Sequence, residues 1–513
     1  MAKICLCLTA KTIARNLKIV HKYRTYADIA ELRVDCLDPD ERFYIRNFPE
    51  LAGMPVILTI RRKTDGGYFT GGEGARVRLL ANGLAYANAD HRKNYAYVDI
   101  EEDIIVPSLE EAVRTFGTRI IRSIHSVDGN IDNIGEKLKS MHRTGDEIVK
   151  AAVTVKTTAD VLRIFRETKA CVNMDKIIVC MGHYGIFSRI LAEKIGSYIT
   201  YASALSENEV SGAPGQLDIK ELAQMYRFRR INRNTKVYGI AGCPLKSTIS
   251  PWFFNTVFTL ENTDAVYVPF PTDSAVDLLE LAKEIDIYGL SVTVPYKEAV
   301  IPALVNCSKA VSTIGSCNTI YRSTGGWFGE NTDATGFSDS LLAFLELKNL
   351  KRQKITIIGA GGVARAVAAE IHRYGGKALI LNRTVNKARN IALQYNFRWG
   401  GLDNQGIEIM TKFSDIIIQT TSAGMEGHDA ADPLELYAFT GKEAVMDLIY
   451  TPAQTPFLKR AAEAGCRTLN GYDMVIRQAC LQYFHFFGRE IPQQILSRVN
   501  TGDNTQWNKI QTD

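Results

Sequence analysis

The chain has 513 residues, of which 46% are hydrophobic and 23% charged, and its formal net charge is +5 at pH 7. This composition excludes a largely disordered chain and is typical of a globular protein of about three domains. The small charge and the scattered basic residues lead us to expect small-molecule ligands, with neither a nucleic-acid nor a membrane partner. The oligomeric state stays open at this level, a monomer included.

The ten cysteines show no Cys-x-x-Cys spacing, which favours reduced, mostly buried thiols and a reducing compartment. The first apolar run, Ile4–Leu8, is too short for a secretory signal, and no small-residue cleavage site follows it. We expect a first β-strand there instead, no signal or transit peptide, and a cytoplasmic protein.

Eight short, β-branched apolar runs alternate with amphipathic stretches before residue 228. Eight such β/α units predict a (β/α)8 TIM barrel, and an open doubly wound sheet is the alternative. The predicted strands are Ile4–Leu8, Ile29–Val34, Val56–Ile60, Tyr97–Ile100, Ile120–Ile124, Ile148–Val153, Ile177–Met181 and Tyr198–Ala202.

Polar side chains collect at the carboxyl ends of these runs, where barrel enzymes carry their catalytic groups. His125 follows the fifth run and Lys150 lies within the sixth, and a packed strand rarely turns an unpaired lysine inward. A satisfied core histidine and an outward-pointing lysine are the ordinary alternatives. The full set is Glu31, Arg33, Arg61, Glu101, His125 and Lys150.

A second pattern begins after the basic segment Tyr226–Lys236, which we interpret as a solvated inter-domain linker. Strands are predicted at Val237–Ile240, Ala265–Pro269 and Gly289–Thr293, alternating with helices. A Leu- and Lys-rich helix is predicted over 340–352. The polar tail from about Ser497 is expected to be poorly ordered.

The run Ile355–Ile358 leads into Gly359-Ala360-Gly361-Gly362-Val363-Ala364. Glycines at the first and third positions allow a tight turn and a close approach to a pyrophosphate, which then faces a helix N-terminus. A strand, this turn and a following helix together predict a dinucleotide-binding Rossmann fold.

The next predicted strand, Ala378–Leu381, is followed by Asn382-Arg383-Thr384. NAD enzymes usually carry an acidic residue in this region to bind the ribose hydroxyls. Arg383, with Lys387 nearby, is suited to a 2′-phosphate, which predicts NADP (NADPH) as the cofactor. A solvent-facing arginine is the alternative.

These residues resemble the bifunctional type I 3-dehydroquinate dehydratase/shikimate dehydrogenase family over nearly the whole chain. The resemblance implies a dehydratase TIM barrel over 1–228, a substrate-binding subdomain over 236–338 with C-terminal helices from about 474–496, and an NADP-binding Rossmann subdomain over 339–473. The barrel motifs are Glu31-Leu-Arg33-Val-Asp35, Thr59-Ile-Arg61, Ser123-Ile-His125, Asp146-x-Ile-Val-Lys150, Ser188-Arg189 and Ala213-Pro-Gly-Gln216.

For the barrel, the resemblance implies that Lys150 forms a Schiff base with the substrate ketone and that His125 is the general acid/base. It implies that the hydroxyls and the carboxylate of 3-dehydroquinate are bound by Glu31, Arg33, Arg61, Arg189 and Gln216.

For the second half, the resemblance implies that Lys297 and Asp333 are catalytic in the reduction of 3-dehydroshikimate to shikimate. It implies substrate contacts from Thr248, Ser250, Thr293, Asn318, Tyr450 and Gln478. The implied cofactor site comprises Gly359, Ala360, Gly361, Gly362, Val363, Ala364, Asn382, Arg383, Thr384, Lys387, Gly471 and Met474.

Some positions depart from the family pattern. Asp65 stands where glutamate is usual, which puts its contact to the histidine in doubt, and Gly212 replaces a serine whose hydroxyl Ser211 could supply. In the second half the departures are Ser247, Thr248, Phe254 and Gln419. None removes a bond-making group, so retained chemistry with altered constants is expected.

Two other functions remain open. The second half could be an NAD-linked dehydrogenase of quinate or shikimate in a catabolic role, or the chain could be a ligand sensor without catalysis. Arg383 argues against NAD, and the presence of Lys150, His125, Lys297 and Asp333 argues against a sensor.

Overall fold

A computed structural model describes residues 1–84, 90–129, 131–206, 212–245, 248–426 and 431–501. The chain divides into two compact units. The first contains Met1–Ala241 and Asn255–Ile287, with the described residues from Arg498 on, and the second contains Gly242–Phe254 and Tyr288–Ser497.

The first half of the chain alternates strands and helices. Its strands are β1 Lys3–Leu8, β2 Ile29–Arg33, β3 Val56–Thr59, β4 Tyr97–Glu101, β5 Arg119–Ser126, β6 Ile148–Thr154, β7 Lys176–Met181, β8 Ile199–Ser203, β9 Leu217–Asp218, β10 Lys236–Gly242 and β11 Ala265–Pro271. Its helices are α1 Ile13–Tyr23, α2 Phe48–Ala52, α3 Glu73–Leu84, α4 Pro107–Thr115, α5 Ile134–Met141, α6 Thr158–Lys169, α7 Ile186–Ile190, α8 Ser250–Leu260 and α9 Ala275–Glu284.

The first sheet is a parallel α/β barrel. Its strand order is β7-β6-β5-β4-β3-β2-β1-β8-β9. The amide of Tyr198, just before β8, donates to the carbonyl of Lys176 in β7 at 2.7 Å, which links the two ends of the eight-strand series. Inward side chains such as Ile57, Ile121 and Ile148 fill the interior. The predicted barrel is confirmed, and each strand lies within two residues of its predicted run.

The segment predicted as a solvated linker is packed instead. Tyr226, Phe228 and Ile231 are buried, at 3%, 1% and 2% exposure. Arg227 donates to the carbonyls of Thr263 and Ala265 at 3.1 and 3.3 Å. The prediction was wrong because it weighed the basic residues and overlooked the apolar ones between them, whose burial outweighs solvation of the segment.

The second half contains the remaining elements. Its strands are β12 Ile287–Val292, β13 Asn306–Cys307, β14 Thr319–Ser323, β15 Gly326–Glu330, β16 Lys354–Ile358, β17 Lys377–Leu381, β18 Arg398–Gly400, β19 Ile416–Gln419, β20 Ala444–Asp447 and β21 Arg467–Leu469. Its helices are α10 Lys309–Ile314, α11 Thr332–Leu345, α12 Gly362–Arg373, α13 Val385–Gln394, α14 Asn404–Met410, α15 Pro456–Glu463, α16 Tyr472–Phe487 and α17 Gln493–Thr501.

Two sheets organise the second unit. In one, the strands that belong to this unit follow the order β12-β14-β15-β13, with antiparallel pairing except between β13 and β15. In the other, six parallel strands follow the order β18-β17-β16-β19-β20-β21. This is the strand order of a doubly wound nucleotide-binding sheet, and it confirms the predicted Rossmann subdomain.

The helix predicted over 340–352 begins earlier and ends earlier. The Asn331 side chain caps α11 by accepting from the amide of Ala334, and Glu346 stops the helix in a left-handed conformation, with φ at 57°. Ser497 lies in α17, so the expected disorder is wrong at that residue, and the tail beyond Thr501 lies outside the described residues. No helix in the described ranges is long and apolar enough to cross a membrane.

Candidate active sites

The barrel interior brings Lys150 and His125 to neighbouring strands. Lys150 lies on β6 opposite Ser123 of β5, and His125 lies two residues further along β5, on the same face. Lys150 is 5% exposed and shares one face of β6 with Ile148 and Ala152 of the inner core, so its side chain points into the barrel. The structure therefore brings together the two residues that the motifs singled out.

A buried carboxylate that the sequence did not reveal holds Lys150. Asp99 of β4 accepts from the Lys150 Nζ atom at 2.8 Å and pairs with Arg61 at 2.8 Å. Burial opposes the charge of Asp99, but the cations of Arg61 and Lys150 hold the pKa of this carboxyl well below its usual range. Asp99 is thus a fixed anion between two site cations.

Arg61 is also held by two other carboxylates, those of Glu101 and Asp35. Its Nη1 atom lies 2.5 Å from Glu101, which also pairs with the buried Arg76 at 2.5 Å. Its backbone amide donates to Asp35 at 3.2 Å. Arg61 is therefore rigidly placed, as a residue that binds a substrate group must be.

Glu31 and Arg33 lie on β2 at the same side of the barrel. Glu31 accepts from the hydroxyl of Thr59 at 2.9 Å. Arg33 makes a two-pronged pair with Asp35, at 2.9 and 2.7 Å, and donates to the carbonyl of Gly212 at 3.1 Å. These bonds hold both side chains in fixed positions.

Arg189 is a buried cation without a carboxylate partner in the described part of the chain. It is 2% exposed, and its guanidinium donates only to the carbonyls of Tyr201 and Pro214. Burial lowers the pKa of Arg189 to about 10. A buried cation that lacks a counter-ion is suited to an anionic ligand, such as a carboxylate.

Two further polar atoms of this site lack hydrogen-bond partners among the described residues: the Nδ1 atom of His125 and the Oε1 atom of Gln216. Burial, with the nearby cations of Arg61 and Lys150, lowers the pKa of His125 well below its usual value. His125 is therefore neutral near pH 7 and can accept a proton.

In the second unit, Lys297 pairs with Asp333. The Lys297 Nζ atom lies 2.6 Å from an Asp333 oxygen, and both side chains are 13% exposed. Asp333 lies in the first turn of α11, where the helix dipole favours a carboxylate. The cap of α11 is Asn331, so Asp333 is available to hold the lysine.

A buried amide and hydroxyl network lies beside this pair. The Asn318 side chain donates to the hydroxyl of Thr332 at 2.9 Å and accepts from its amide at 2.7 Å. Gln478 of α16 accepts from the same hydroxyl at 3.4 Å. Asn318 and Gln478 are thus brought together, although both already have protein partners.

The other predicted substrate contacts lie in the same unit. The amide of Ser250 donates to the Thr248 hydroxyl at 3.4 Å, and the Tyr450 side chain also bonds Thr248. A Cβ on Gly242 would lie 2.4 Å from Thr293, so only glycine allows this close approach.

The turn between β16 and α12 has the geometry of a phosphate-binding loop. Gly359 has φ at 110°, and a Cβ there would lie 2.5 Å from Thr420. A Cβ on Gly361 would meet nothing within 4 Å, and no side chain caps the N-terminus of α12. Ala364 is fully buried, whereas Ala360, Gly362 and Val363 are partly exposed. The free helix N-terminus fits a pyrophosphate.

The end of β17 lies next to this loop. The amide of Gly359 donates to the carbonyl of Leu381 at 2.8 Å. Asn382 follows and donates to the carbonyl of Thr384 at 3.0 Å, whereas the side chains of Arg383, Thr384 and Lys387 are exposed. Two exposed cations beside the loop fit a 2′-phosphate.

Gly471 and Met474 lie at the start of α16. A Cβ on Gly471 would lie 2.1 Å from the Leu448 carbonyl. Met474 is 6% exposed and packs in the core of the Rossmann subdomain. Gly471 is thus required by the backbone, and the Met474 side chain is mainly a packing group.

Comparison with known proteins supplies the family. The type I 3-dehydroquinase family model matches residues 4–233, the shikimate dehydrogenase substrate-binding domain model matches 240–320, and the shikimate/quinate 5-dehydrogenase model matches 342–426. The chloroplastic bifunctional 3-dehydroquinate dehydratase/shikimate dehydrogenase of Arabidopsis thaliana is 31% identical over 494 residues, covering 92% of this chain and 80% of the relative.

The chain belongs to the bifunctional 3-dehydroquinate dehydratase/shikimate dehydrogenase family. Its second half is also similar to single-function NADP(+) shikimate dehydrogenases. That of Carboxydothermus hydrogenoformans is 34% identical, covering 53% of this chain and 98% of the relative. That of Dictyoglomus thermophilum is 37% identical, covering 52% and 98%.

The departures from the dehydratase family pattern have structural correlates. Asp65 pairs with Arg62 at 2.5 Å, and no bond joins it to His125. A side chain on Gly212 would meet the Gln216 amide at 2.7 Å unless Gln216 moved. Ser211 and Ser247 lie outside the described residues.

Sequence reasoning missed Asp99 as a site residue. A signal was present, because the run Tyr97–Ile100 carries one acidic residue at an otherwise apolar strand position. A carboxylate within a packed strand requires a buried partner, and the three-dimensional structure identifies Lys150 and Arg61 as that partner pair.

Proposed function

We propose that the barrel dehydrates 3-dehydroquinate to 3-dehydroshikimate through a Schiff base on Lys150, and that the second half reduces 3-dehydroshikimate to shikimate with NADPH. Both reactions are those of the bifunctional enzyme family to which the chain belongs. The observation that carries the first assignment is the buried Lys150 beside a neutral His125 in a chamber with an unpaired Arg189.

In the first reaction, Lys150 gives its ammonium proton to the neutral His125 and attacks the substrate ketone as an amine. His125 returns a proton to the carbinolamine oxygen, which leaves as water, and the resulting protonated imine withdraws electrons from the adjacent carbon. His125 removes a proton from that carbon and returns it to the departing hydroxyl, so one water leaves the ring. Hydrolysis of the imine releases the product and regenerates the Lys150 amine. Asp99 orients Lys150 throughout.

The unpaired groups of the chamber match the substrate. Arg189, which has no carboxylate partner among the described residues, would bind the substrate carboxylate. The free Oε1 atom of Gln216 would accept from a substrate hydroxyl. Glu31, Arg33 and Arg61 complete the shell, already oriented by their protein partners.

Borohydride trapping tests the dehydratase assignment. Reduction in the presence of 3-dehydroquinate should attach the ligand irreversibly to Lys150, as seen by peptide mass mapping. Lys176, a second buried lysine on the adjacent strand whose Nζ atom donates to two backbone carbonyls at 2.7 and 2.9 Å, is the internal control. An unmodified protein, or a label on Lys176, would contradict the assignment.

In the second reaction, bound NADPH supplies the hydride. The ketone oxygen gains negative charge as the hydride arrives, and Lys297 stabilises it by donating a proton. Asp333 holds Lys297 in place at 2.6 Å. The hydroxyls of Thr248 and Ser250 would bind the substrate carboxylate, with Tyr450 beside Thr248, and Thr293, Asn318 and Gln478 facing the ring hydroxyls.

The cofactor is NADP, as in the curated shikimate dehydrogenase relatives. The free N-terminus of α12 and the open side of Gly361 would receive the pyrophosphate, with the exposed Arg383 and Lys387 on the 2′-phosphate. A side-by-side titration with NADPH and NADH separates this assignment from the NAD-linked catabolic alternative, which predicts a preference for NADH.

A single assay separates the enzyme from the ligand-sensor alternative. Purified protein, 3-dehydroquinate and NADPH should together consume NADPH and form shikimate. Absence of both would favour the sensor.

The domain bounds 1–228, 236–338 and 339–473 belong to this proposal. A cytoplasmic location is also part of this proposal. The ten cysteines, all of them in described segments, are free thiols, which fits a reducing compartment.

A further inference from the structure

A further residue of the barrel's inner core has a buried polar atom without a partner in the described part of the chain, and neither the motifs nor the proposed mechanism uses this atom. This atom is the hydroxyl of Tyr201. His125, Arg189 and Gln216 also have a buried polar atom without a partner, and the proposed function assigns these three residues to the reaction or to substrate binding. An unsatisfied buried hydroxyl costs roughly 1–3 kcal/mol, so its presence calls for an explanation.

Tyr201 lies in the middle of β8 and faces the barrel interior. Its register partner on β1 is Cys5, and both belong to the inner core together with Ile148 of β6. The Tyr201 residue is 5% exposed. Its position places an aromatic ring and a phenol among the charged groups of the dehydratase chamber.

The ring of Tyr201 faces the reactive lysine. The Lys150 Nζ atom lies 4.5 Å from the ring centroid, within the range of a cation–π contact. Asp99 holds the same nitrogen from another direction at 2.8 Å. Lys150 is therefore confined between a carboxylate and an aromatic face, which limits the conformations of its long side chain.

The phenol of Tyr201 is a neutral hydrogen-bond donor and acceptor. Burial, with the carboxylates of Glu31 and Asp99 nearby, raises its pKa well above the usual value. A second tyrosine of the same core, Tyr97, shows that a missing partner is not general among the barrel tyrosines. Its hydroxyl bonds both Lys3 and the Tyr198 hydroxyl at 3.2 Å.

We propose that Tyr201 is a substrate-contacting and lysine-positioning residue of the dehydratase. Its hydroxyl hydrogen-bonds an oxygen of the hydroxylated cyclic substrate, and its ring holds Lys150 for attack on the ketone. This proposal rests on the proposed dehydratase function. A phenylalanine would supply the same packing without burying a lone hydroxyl, so the hydroxyl is suited to a ligand.

The two parts of the proposal are separated by two variants. Tyr201→Phe removes only the hydroxyl, and loss of one neutral hydrogen bond should lower dehydratase kcat/KM about 3- to 10-fold, mainly through KM. The melting temperature of the free protein should be unchanged or higher, because no protein bond is lost. Tyr201→Leu also removes the ring, and it should slow borohydride trapping on Lys150, which Tyr201→Phe should leave near the wild-type rate.

Tyr97→Phe is the matched control. It removes a hydroxyl that has protein partners, so it should lower the melting temperature and leave dehydratase KM within about twofold of wild type. A Tyr201→Phe protein with a wild-type KM, or one that melts lower as Tyr97→Phe does, would overturn the hydroxyl assignment. Equal trapping rates in Tyr201→Leu and wild type would overturn the ring assignment.

The wild-type protein separates failure of this proposal from failure of the proposed function. If it neither dehydrates 3-dehydroquinate nor traps it on Lys150, the dehydratase function itself is wrong. If it does both, the outcome for Tyr201 depends on its variants alone. Should Tyr201→Leu fail to fold, the comparison of Tyr201→Phe with Tyr97→Phe still decides the hydroxyl contact.

Discussion

Two lysines with carboxylate partners lie at the centres of the two candidate sites. The Lys150 side chain is 7% exposed and is held by the fully buried Asp99, whereas the Lys297 and Asp333 side chains are each 13% exposed. Nucleophilic attack needs a lysine that loses its proton inside a protected chamber. Proton donation to a ketone oxygen needs a lysine that can be recharged from solvent. The two environments suit these different tasks.

Replacing Lys297 with alanine should lower the dehydrogenase kcat by about 10²- to 10⁴-fold, with little change in the KM for 3-dehydroshikimate, because the proton donor acts in the transition state. Steady-state assays with NADPH measure both constants. Lys309→Ala, an exposed lysine near the start of α10, is the control and should behave as wild type. A near-normal kcat in Lys297→Ala would refute the role.

The lowered pKa of His125 predicts how dehydratase activity depends on pH. Because burial and two neighbouring cations disfavour its protonated form, His125 stays a neutral base to lower pH than an ordinary histidine. The acidic limb of dehydratase kcat/KM should therefore lie below pH 6.5. A histidine of ordinary pKa would lose about three quarters of its neutral form at pH 6. Dehydrogenase activity of the same sample controls for acid damage, and an acid limb at or above pH 6.5 would contradict the prediction.

At the scale of elements, positions at strand ends and helix starts decide where chemistry occurs. The barrel residues Glu31, Lys150 and His125 sit on parallel strands whose carboxyl ends converge. The Rossmann loop instead offers backbone amides at the N-terminus of α12, where no side chain forms a cap. Strand ends thus present side chains, and the helix start presents backbone donors.

Two glycines of one turn should respond differently to alanine. In Gly361→Ala the new Cβ meets nothing within 4 Å, so the protein should fold normally, but the methyl group obstructs the pyrophosphate and KM for NADPH should rise about tenfold or more.

In Gly359→Ala the Cβ lies 2.5 Å from Thr420 at a φ of 110°, so the second unit should melt at a lower temperature. Melting curves and NADPH titrations check both variants. An unchanged KM in Gly361→Ala would exclude this approach of the cofactor.

At the scale of the whole molecule, each unit contains its own set of proposed catalytic groups. Lys150, His125 and Asp99 belong to the first unit, and Lys297 and Asp333 to the second. The first unit also includes residues 255–287. There the Asp273 side chain accepts from the amide and hydroxyl of Thr158, at 2.9 and 2.8 Å, at the start of the barrel helix α6. Residues 255–287 thus contribute to the unit that contains the barrel.

A substitution in one site should leave the activity of the other site unchanged, because the two sites share no residue. Lys150→Ala should lower dehydratase activity at least about 1,000-fold and leave the dehydrogenase kcat within about twofold, and Lys297→Ala should do the reverse. The double variant should show both losses and no further one. Separate assays with 3-dehydroquinate and with 3-dehydroshikimate measure this. Loss of dehydrogenase activity in Lys150→Ala would show coupling between the units.

The amino-acid sequence by itself determined the strand positions, the barrel and the Rossmann loop and supplied the candidates for the bond-making residues, because periodicity and motif spacing are local properties. The tertiary structure alone decided the partners. Asp99 and Lys150 are 51 residues apart in the chain, and the contact of Tyr201 with Lys150 likewise depends on how the barrel closes. A pattern shows which face a side chain occupies, whereas a contact depends on which strands become neighbours.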